Sequence, residues 1–448
     1  MNGPESPRFQ ATGHPAAEFG EMRKKLFALI DCNNFYVSCE RVFNASIQNK
    51  PVIVLSNNDS CVVARSTEVK KLGVKMGQPV FQIVELIKEH HIQVFSSNYS
   101  LYADLSARVM KVLSQFSPAL ETYSIDEAFL DLTSLSIDDL TECGRTIKDR
   151  VLQRTGIPVS VGIAPTKCLT KIANEIVKQD VQYHGVLDLS TLSDQEVDAC
   201  LATVTIEDVW GIGHKYAHFL SNHGILTAQD VKYADEKWIR RYLTVTGERI
   251  VLELRGTACI PLEIERPPKQ GIMSSKTFGR EITSRSEMEE AIANYVARAA
   301  EKLRQQDSLT SRLTIFIKTN SFKTDTAQYS NSFKVNFPYP TACTPDLLKY
   351  ALEGLKTIYQ EGYSYYKAGV YLTRITPQSF LQPDLFGNFS LVEHYRQARF
   401  MAIVDALNNI YGHDTLLFAI QGITRNWKMR QLKLSNRFTS QWSEILTI

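Results

Sequence analysis

Ser124-Ile125-Asp126-Glu127 places two adjacent carboxylates at a tight reversal between apolar runs. A hundred residues earlier, Leu26-Phe27-Ala28-Leu29-Ile30 runs straight into a third, Asp31. A short apolar run bounded by turn residues predicts a buried strand. Residues 26–31 are therefore expected as a strand ending on an acid, with Asp126 and Glu127 on a hairpin tip. Three carboxylates brought together resist joint ionisation. Divalent cations relieve that repulsion, and Mg²⁺ suits carboxylate oxygens because it keeps several of its waters. Two such ions about 3.5–4 Å apart serve both ends of a phosphoryl transfer. Taken alone, the acidic pair also fits a solvated turn, where such residues are common.

The bulk of the chain limits the alternatives. Its 448 residues suit several domains, and 44% hydrophobic content is enough for more than one core. The net charge is only +2, so any surface for an anionic partner must be local. Eight cysteines are scattered without a C-x-x-C pair. That spacing suits free thiols in a reducing, cytoplasmic setting, and neither a zinc site nor a disulfide scaffold. No apolar run is long enough to span a bilayer, so no membrane partner is expected. Residues 1–24 are rich in Pro, Gly, Glu and Ala and lack an apolar core, which predicts a disordered extension and not a secretory signal.

Strands alternate with helices through the first half, an α/β or α+β pattern. Pro51-Val52-Ile53-Val54-Leu55 and Val159-Ser160-Val161-Gly162-Ile163 read as buried strands, and Leu101 to Phe116 has helical spacing. Residues 187–262 read as mainly helical. Within them Val209-Trp210-Gly211-Ile212-Gly213-His214-Lys215 fits a helix-hairpin-helix turn. There Gly211 and Gly213 let the backbone approach a phosphate and Lys215 adds charge. Residues 263–271 carry two prolines and read as a linker. Ser286-Glu287-Met288-Glu289 reads as a capping box opening a helix. Alternation puts Thr314, Phe316 and Lys318 on one strand face and Leu313, Ile315 and Ile317 on the other. Residues 377–448 read as a loop with a short appendage. Its basic end, with Arg425, Trp427, Lys428, Arg430, Lys433 and Arg437, suits single-stranded nucleic acid or a protein partner.

Asp31-Cys32-Asn33-Asn34-Phe35-Tyr36-Val37-Ser38-Cys39-Glu40, Leu55-Ser56-Asn57-Asn58-Asp59-Ser60-Cys61-Val62-Val63-Ala64-Arg65 and Ser124-Ile125-Asp126-Glu127-Ala128-Phe129 together resemble the Y-family translesion DNA polymerases, and within them the UmuC branch. The resemblance covers residues 25–448. It implies a multidomain α+β right-hand polymerase. A ferredoxin-like palm would occupy 25–34 and 101–186, small fingers 35–100, a helix-hairpin-helix thumb 187–262, and an α/β little finger 272–376.

It also implies roles for single residues. Asp31, Asp126 and Glu127 would be catalytic and hold two Mg²⁺ ions with the Cys32 carbonyl. Asn33 stands where many members carry a second acid. Tyr36 would be the steric gate against a 2′-hydroxyl. Phe35, Arg65, Lys70 and Lys178 would join it at the nucleotide. Ser275, Lys276, Arg280 and Lys318 would face duplex DNA. Gln382-Pro383-Asp384-Leu385-Phe386 resembles a sliding-clamp peptide, with Gln382, Leu385 and Phe386 as its anchors. The implied partners are primer–template DNA, deoxynucleoside triphosphates, a processed UmuD dimer, the RecA filament and the clamp. The implied activity is error-prone translesion synthesis in the SOS response. Two rival readings are a non-catalytic DNA-binding accessory factor on the same scaffold and a nucleotidyl cyclase with a related palm.

Overall fold

The computed structural model describes residues 25–135, 137–382 and 390–446. Among them the strands are, in chain order, β1 (Phe27–Cys32), β2 (Val52–Leu55), β3 (Val62–Arg65), β4 (Gln93–Ser96), β5 (Leu120–Thr122), β6 (Glu127–Asp131), β7 (Val159–Ala164), β8 (Val186–Asp188), β9 (Ile272–Ile282), β10 (Ser308–Thr319), β11 (Ser330–Thr341) and β12 (Tyr365–Pro377). The chain divides into two compact units. One holds residues 25–35 and Ala103–Ile264, the other Tyr36–Tyr102 and residues 265–446.

The first unit is built on a five-stranded sheet in the order β5-β6-β1-β7-β8. β1 lies at its centre, antiparallel to β6 and β7. All six of its residues are buried, which explains why it reads as an unbroken apolar run. The helix Lys167–Gln179 is capped by the Thr166 side chain and packs on β7. Gly162 permits that approach, since a Cβ there would lie 2.4 Å from the Thr170 carbonyl oxygen. The helix is tied to β1 by the Asn174 amide, which donates to the Leu29 carbonyl at 2.8 Å. Four further helices, Asp194–Ala202, His214–Ser221, Ala228–Tyr233 and Glu236–Leu254, gather around Leu201, Leu220, Val231 and Ile250. The fully buried Glu253 joins them to the sheet layer by accepting from the Cys168, Cys259 and Ile260 amides.

The second unit has two sheets. One is β3-β2-β4, with β2 antiparallel to β3 and parallel to β4. The other is the antiparallel β11-β10-β12-β9. In β10 the alternation is as expected: Leu313, Ile315 and Ile317 are buried, and Thr314, Phe316 and Lys318 are more open. The helices Arg285–Arg304 and Thr344–Ile358 cover the buried face.

Two expectations are corrected. Ser286 does not cap its helix. Ser284 takes the N-cap position in extended conformation, so Ser286 falls inside the first turn, and Glu289 is drawn to Arg285 at 3.0 Å. Residues past 377 are also more than a loop with an appendage. Leu391–Tyr411 is a 21-residue helix, and Trp427 is buried in the core of the four-stranded unit. Residues 1–24 and the clamp-peptide anchors Leu385 and Phe386 lie outside the described residues, whereas Gln382 is exposed.

Candidate active site

The sheet register brings the acids together. Asp31 at the end of β1 stands opposite Glu127 at the start of β6. The next residue back, Asp126, accepts the Cys32 amide on its backbone oxygen at 2.8 Å. Asp31 is only 7% exposed. Burial pushes its carboxyl from 3.8 up to about 7, against the pull of Lys178, and a hydrogen bond to Glu127 adds to the rise. Burial also works to raise Glu127, but the hydrogen bond from Asp31 and the ammonium of Lys171 outweigh it and leave its carboxyl low. Two carboxylates that meet out of water resist joint ionisation, and the rise falls on Asp31.

Two lysines from one helix complete the charge balance. Lys178 Nζ lies 2.7 Å from Asp31 Oδ2, and Lys171 Nζ lies 2.7 Å from Glu127 Oε1 and 2.8 Å from Oε2. Seven residues apart, they share a helix face two turns long. Lys171 also sits 4.4 Å from the Tyr123 ring centre, and the Tyr123 hydroxyl accepts from Trp210 Nε1 at 3.0 Å. Lys178, expected at a triphosphate, is bonded here to the Asp31 carboxyl. Lys171 was not expected at all, although its spacing from Lys178 is a usable signal.

Asp126 behaves differently from its neighbours. Its Oδ1 accepts from Ser124 Oγ at 2.5 Å, within its own turn. Among the described residues no three His, Cys, Asp or Glu side chains are gathered closely enough to hold a metal ion. Asp31, Asp126 and Glu127 therefore do not form a three-carboxylate cage here. Lys178 and Lys171 provide the positive charge beside Asp31 and Glu127. The Cys32 thiol is held neutral by burial and by the surrounding carboxylates.

Asn33 Oδ1 accepts from Ser160 Oγ at 2.9 Å. In the first unit, Gly211 has φ +89°, and a Cβ there would meet Ile250 at 2.8 Å. Gly213 is the N-cap of His214–Ser221, with open space where a Cβ would point, and Lys215 is exposed in the first turn. The element before that turn is a single 3-10 turn, Ile206–Asp208. Phe35–Phe43 is a helix whose residues from Tyr36 on belong to the second unit, and there the Tyr36 ring stacks on Tyr102 at 4.4 Å. Arg65 ends β3 with Nε and Nη1 shielded from solvent and without a hydrogen-bond partner. Lys70 is exposed in the short helix Thr67–Lys71. Ser275 pairs with Gly369 in the four-stranded sheet, Arg280 bonds Glu287, and Lys318 is exposed. The Lys276 pKa is lowered by burial and by the cations Arg298, Lys302 and Lys428, which mark a basic patch. No helix among the described residues is long and apolar enough to cross a membrane.

Residues 30–175 match the impB/mucB/samB family, residues 269–385 match that family's C-terminal domain, and residues 398–448 match a domain of unknown function (DUF4113). The chain is 42% identical over 425 residues to the protein UmuC of Salmonella typhimurium, covering 94% of this chain and 100% of that one. It is 41% identical over 421 residues to the protein ImpB of the same species, covering 94% and 99%. A Y-family DNA polymerase chimera superposes with a TM-score of 0.61 at 22% identity, covering 79% of this chain and 99% of that chain.

Proposed function

The chain belongs to the impB/mucB/samB family, in the UmuC branch of the Y-family DNA polymerases, and from that premise we propose that it is an error-prone, template-directed DNA polymerase performing translesion synthesis in the SOS response. The observation that carries the proposal is the register of β1 against β6, which sets Asp31 and Glu127 side by side, with Asp126 adjoining Cys32.

The donor chemistry fits Mg²⁺. The carboxylates offer only oxygen, the nearby thiol stays neutral, and a divalent cation is a stronger counter-charge to adjacent acids than a single ammonium. When bound, two Mg²⁺ ions would activate the primer 3′-hydroxyl and neutralise the leaving pyrophosphate. Asp31, Asp126, Glu127 and the Cys32 carbonyl would hold them, with Asp126 turning away from Ser124. Lys178 would then be released from Asp31 toward the triphosphate, and Arg65 and Lys70 are the other phosphate contacts that the branch implies. The shielded, unpartnered guanidinium nitrogens of Arg65 favour an anionic ligand, since a buried donor left unpaired is costly. Tyr36 would exclude ribonucleotides.

Gly211, Gly213 and Lys215 would follow the DNA backbone. Ser275, Lys276, Arg280 and Lys318 would grip the duplex, with the basic patch around Lys276 as support. The palm, fingers, thumb, linker and little finger would keep the boundaries read from the sequence. A processed UmuD dimer, the RecA filament and a clamp bound through residues 382–386 are the partners this branch implies.

Magnesium-dependent primer extension by the full chain, with and without its accessory proteins, tests the proposal. Asp126→Ala and Asp31→Ala should each abolish extension while primer–template binding persists. Equal extension by wild type and both variants would refute the site. Extension by none of them, with DNA binding retained, would favour the accessory-factor reading.

A further inference from the structure

We propose that the C-terminal segment of the chain is a positioning element for sugar selection: Ser435, acting through Glu40 and Tyr102, fixes the ring of Tyr36. The inference rests on reading Tyr36 as the sugar gate.

The contacts form one continuous series inside the second unit. The Tyr36 and Tyr102 rings stack with centres 4.4 Å apart and planes 17° from parallel, and Tyr99 meets Tyr36 edge-on at 6.3 Å. Tyr102 is fully buried, and its hydroxyl donates to Glu40 Oε1 at 2.6 Å. Glu40 lies one turn beyond Tyr36 on the same helix and is 2% exposed. A carboxylate at that depth depends on donors, and its pKa is raised by burial despite those it has. The second donor to the same Oε1 is Ser435 Oγ, 3.0 Å away and 395 residues along the chain.

Ser435 is held there by several bonds. The Asn98 amide, itself 2% exposed, donates to Ser435 O, Ser435 Oγ and Asn436 O at 3.0–3.2 Å. Ser96 and Lys433 exchange two hydrogen bonds, one through the Ser96 hydroxyl, and Gln431 Nε2 donates to Ser97 O at 2.8 Å. Phe438 stacks on Phe43 at 4.8 Å, on the helix that carries both Tyr36 and Glu40. The tail therefore lies against the elements that set the gate, and its hydroxyl completes the acceptor that orients Tyr102. A steric gate works by sub-ångström placement, so a ring that loses its backing should discriminate less well.

The test compares incorporation of a ribonucleotide and the matching deoxynucleotide by the full chain under conditions that support extension. The variants are Tyr36→Ala, Tyr102→Leu, Ser435→Ala and Ser435→Thr. Ser435 is only half-buried, so losing its hydroxyl should leave the fold intact. Tyr36→Ala should raise the ribonucleotide-to-deoxynucleotide ratio of kcat/KM most. Tyr102→Leu should raise it less, Ser435→Ala by roughly three- to tenfold, and Ser435→Thr should restore the wild-type ratio. If Ser435→Ala and Tyr102→Leu leave the ratio at the wild-type value, or lower both efficiencies in equal proportion, while Tyr36→Ala raises it, the tail has no part in selection and the gate reading stands. If Tyr36→Ala does not raise the ratio, the gate reading fails and this inference fails with it.

Discussion

Lys178 Nζ sits 2.7 Å from Asp31 Oδ2, so the acid that ends the central strand is already met by a cation from the neighbouring helix. A lysine bonded to an acid without metal is available to a phosphate once a metal takes that acid. Lys178→Ala should therefore weaken nucleotide binding more than DNA binding. A charge-assisted hydrogen bond contributes about 1.5–3 kcal/mol, and with the lysine about one-third exposed the lower end applies. The expected result is a roughly tenfold rise in KM for the deoxynucleotide at unchanged primer–template affinity. A fall in DNA affinity with KM unchanged would place Lys178 outside the triphosphate site.

Metal binding should depend on pH in a definite direction. The Asp31 carboxyl sits at about 7 against an ordinary 3.8. A raised carboxyl contributes to stability below its ordinary value, and that contribution is lost as pH rises through about 7. Mg²⁺ competes with the proton on Asp31 and gains where the proton leaves. Millimolar MgCl₂ should thus raise the melting temperature more at about pH 8 than at about pH 6. Equal shifts at the two values would mean that the ion does not use Asp31.

A second buried ion pair has a structural role. Lys167 donates to Glu121 and to the Pro261 carbonyl, the latter at 2.9 Å, and lies 4.8 Å from the Phe129 ring centre. Both partners are almost wholly buried. Removing one charge strands the other, at a cost of about 3–5 kcal/mol, whereas neutralising both costs less. Lys167→Met should be clearly less stable to urea than Lys167→Met combined with Glu121→Gln. The glutamine keeps an acceptor for the Glu263 amide that Glu121 now satisfies at 2.8 Å. Equal losses for the single and double variants would show that the pair is not coupled.

The features legible in the sequence were those set by short-range pattern. The run ending at Asp31 and the acidic turn at Asp126 emerge as β1 and the start of β6, because burial on both faces demands unbroken apolar residues. The alternation in β10 is equally local. The pairing of Lys171 and Lys178 with the acids was hidden, because contacts across 44 and 147 residues leave no periodic trace. The helix Leu391–Tyr411 was hidden for another reason. His394, Met401 and Val404 turn inward, but Val392, Tyr395, Ile403 and Ile410 are apolar on the exposed side, so no single stripe stands out.

Trp427 decides whether the tail is an appendage or part of the fold. It is 5% exposed, meets Phe278 and Tyr295 edge-on at 6.1 and 5.9 Å, and donates from Nε1 to Glu290 Oε2 at 2.9 Å. Its carbonyl accepts from the Gly279 amide at 3.1 Å, and a Cβ on Gly279 would fall 2.1 Å from the Lys428 oxygen, so β9 and the tail fit closely. Deleting a buried aromatic of this size costs about 3–5 kcal/mol. Trp427→Ala, and truncation after residue 424, should both lower the melting temperature and expose the four-stranded unit to protease. Gly279→Ala should do the same more mildly by pushing the tail away. A truncated chain that melts and resists protease like wild type would make the tail dispensable to the fold, because a core that loses its central indole cannot keep its packing unchanged.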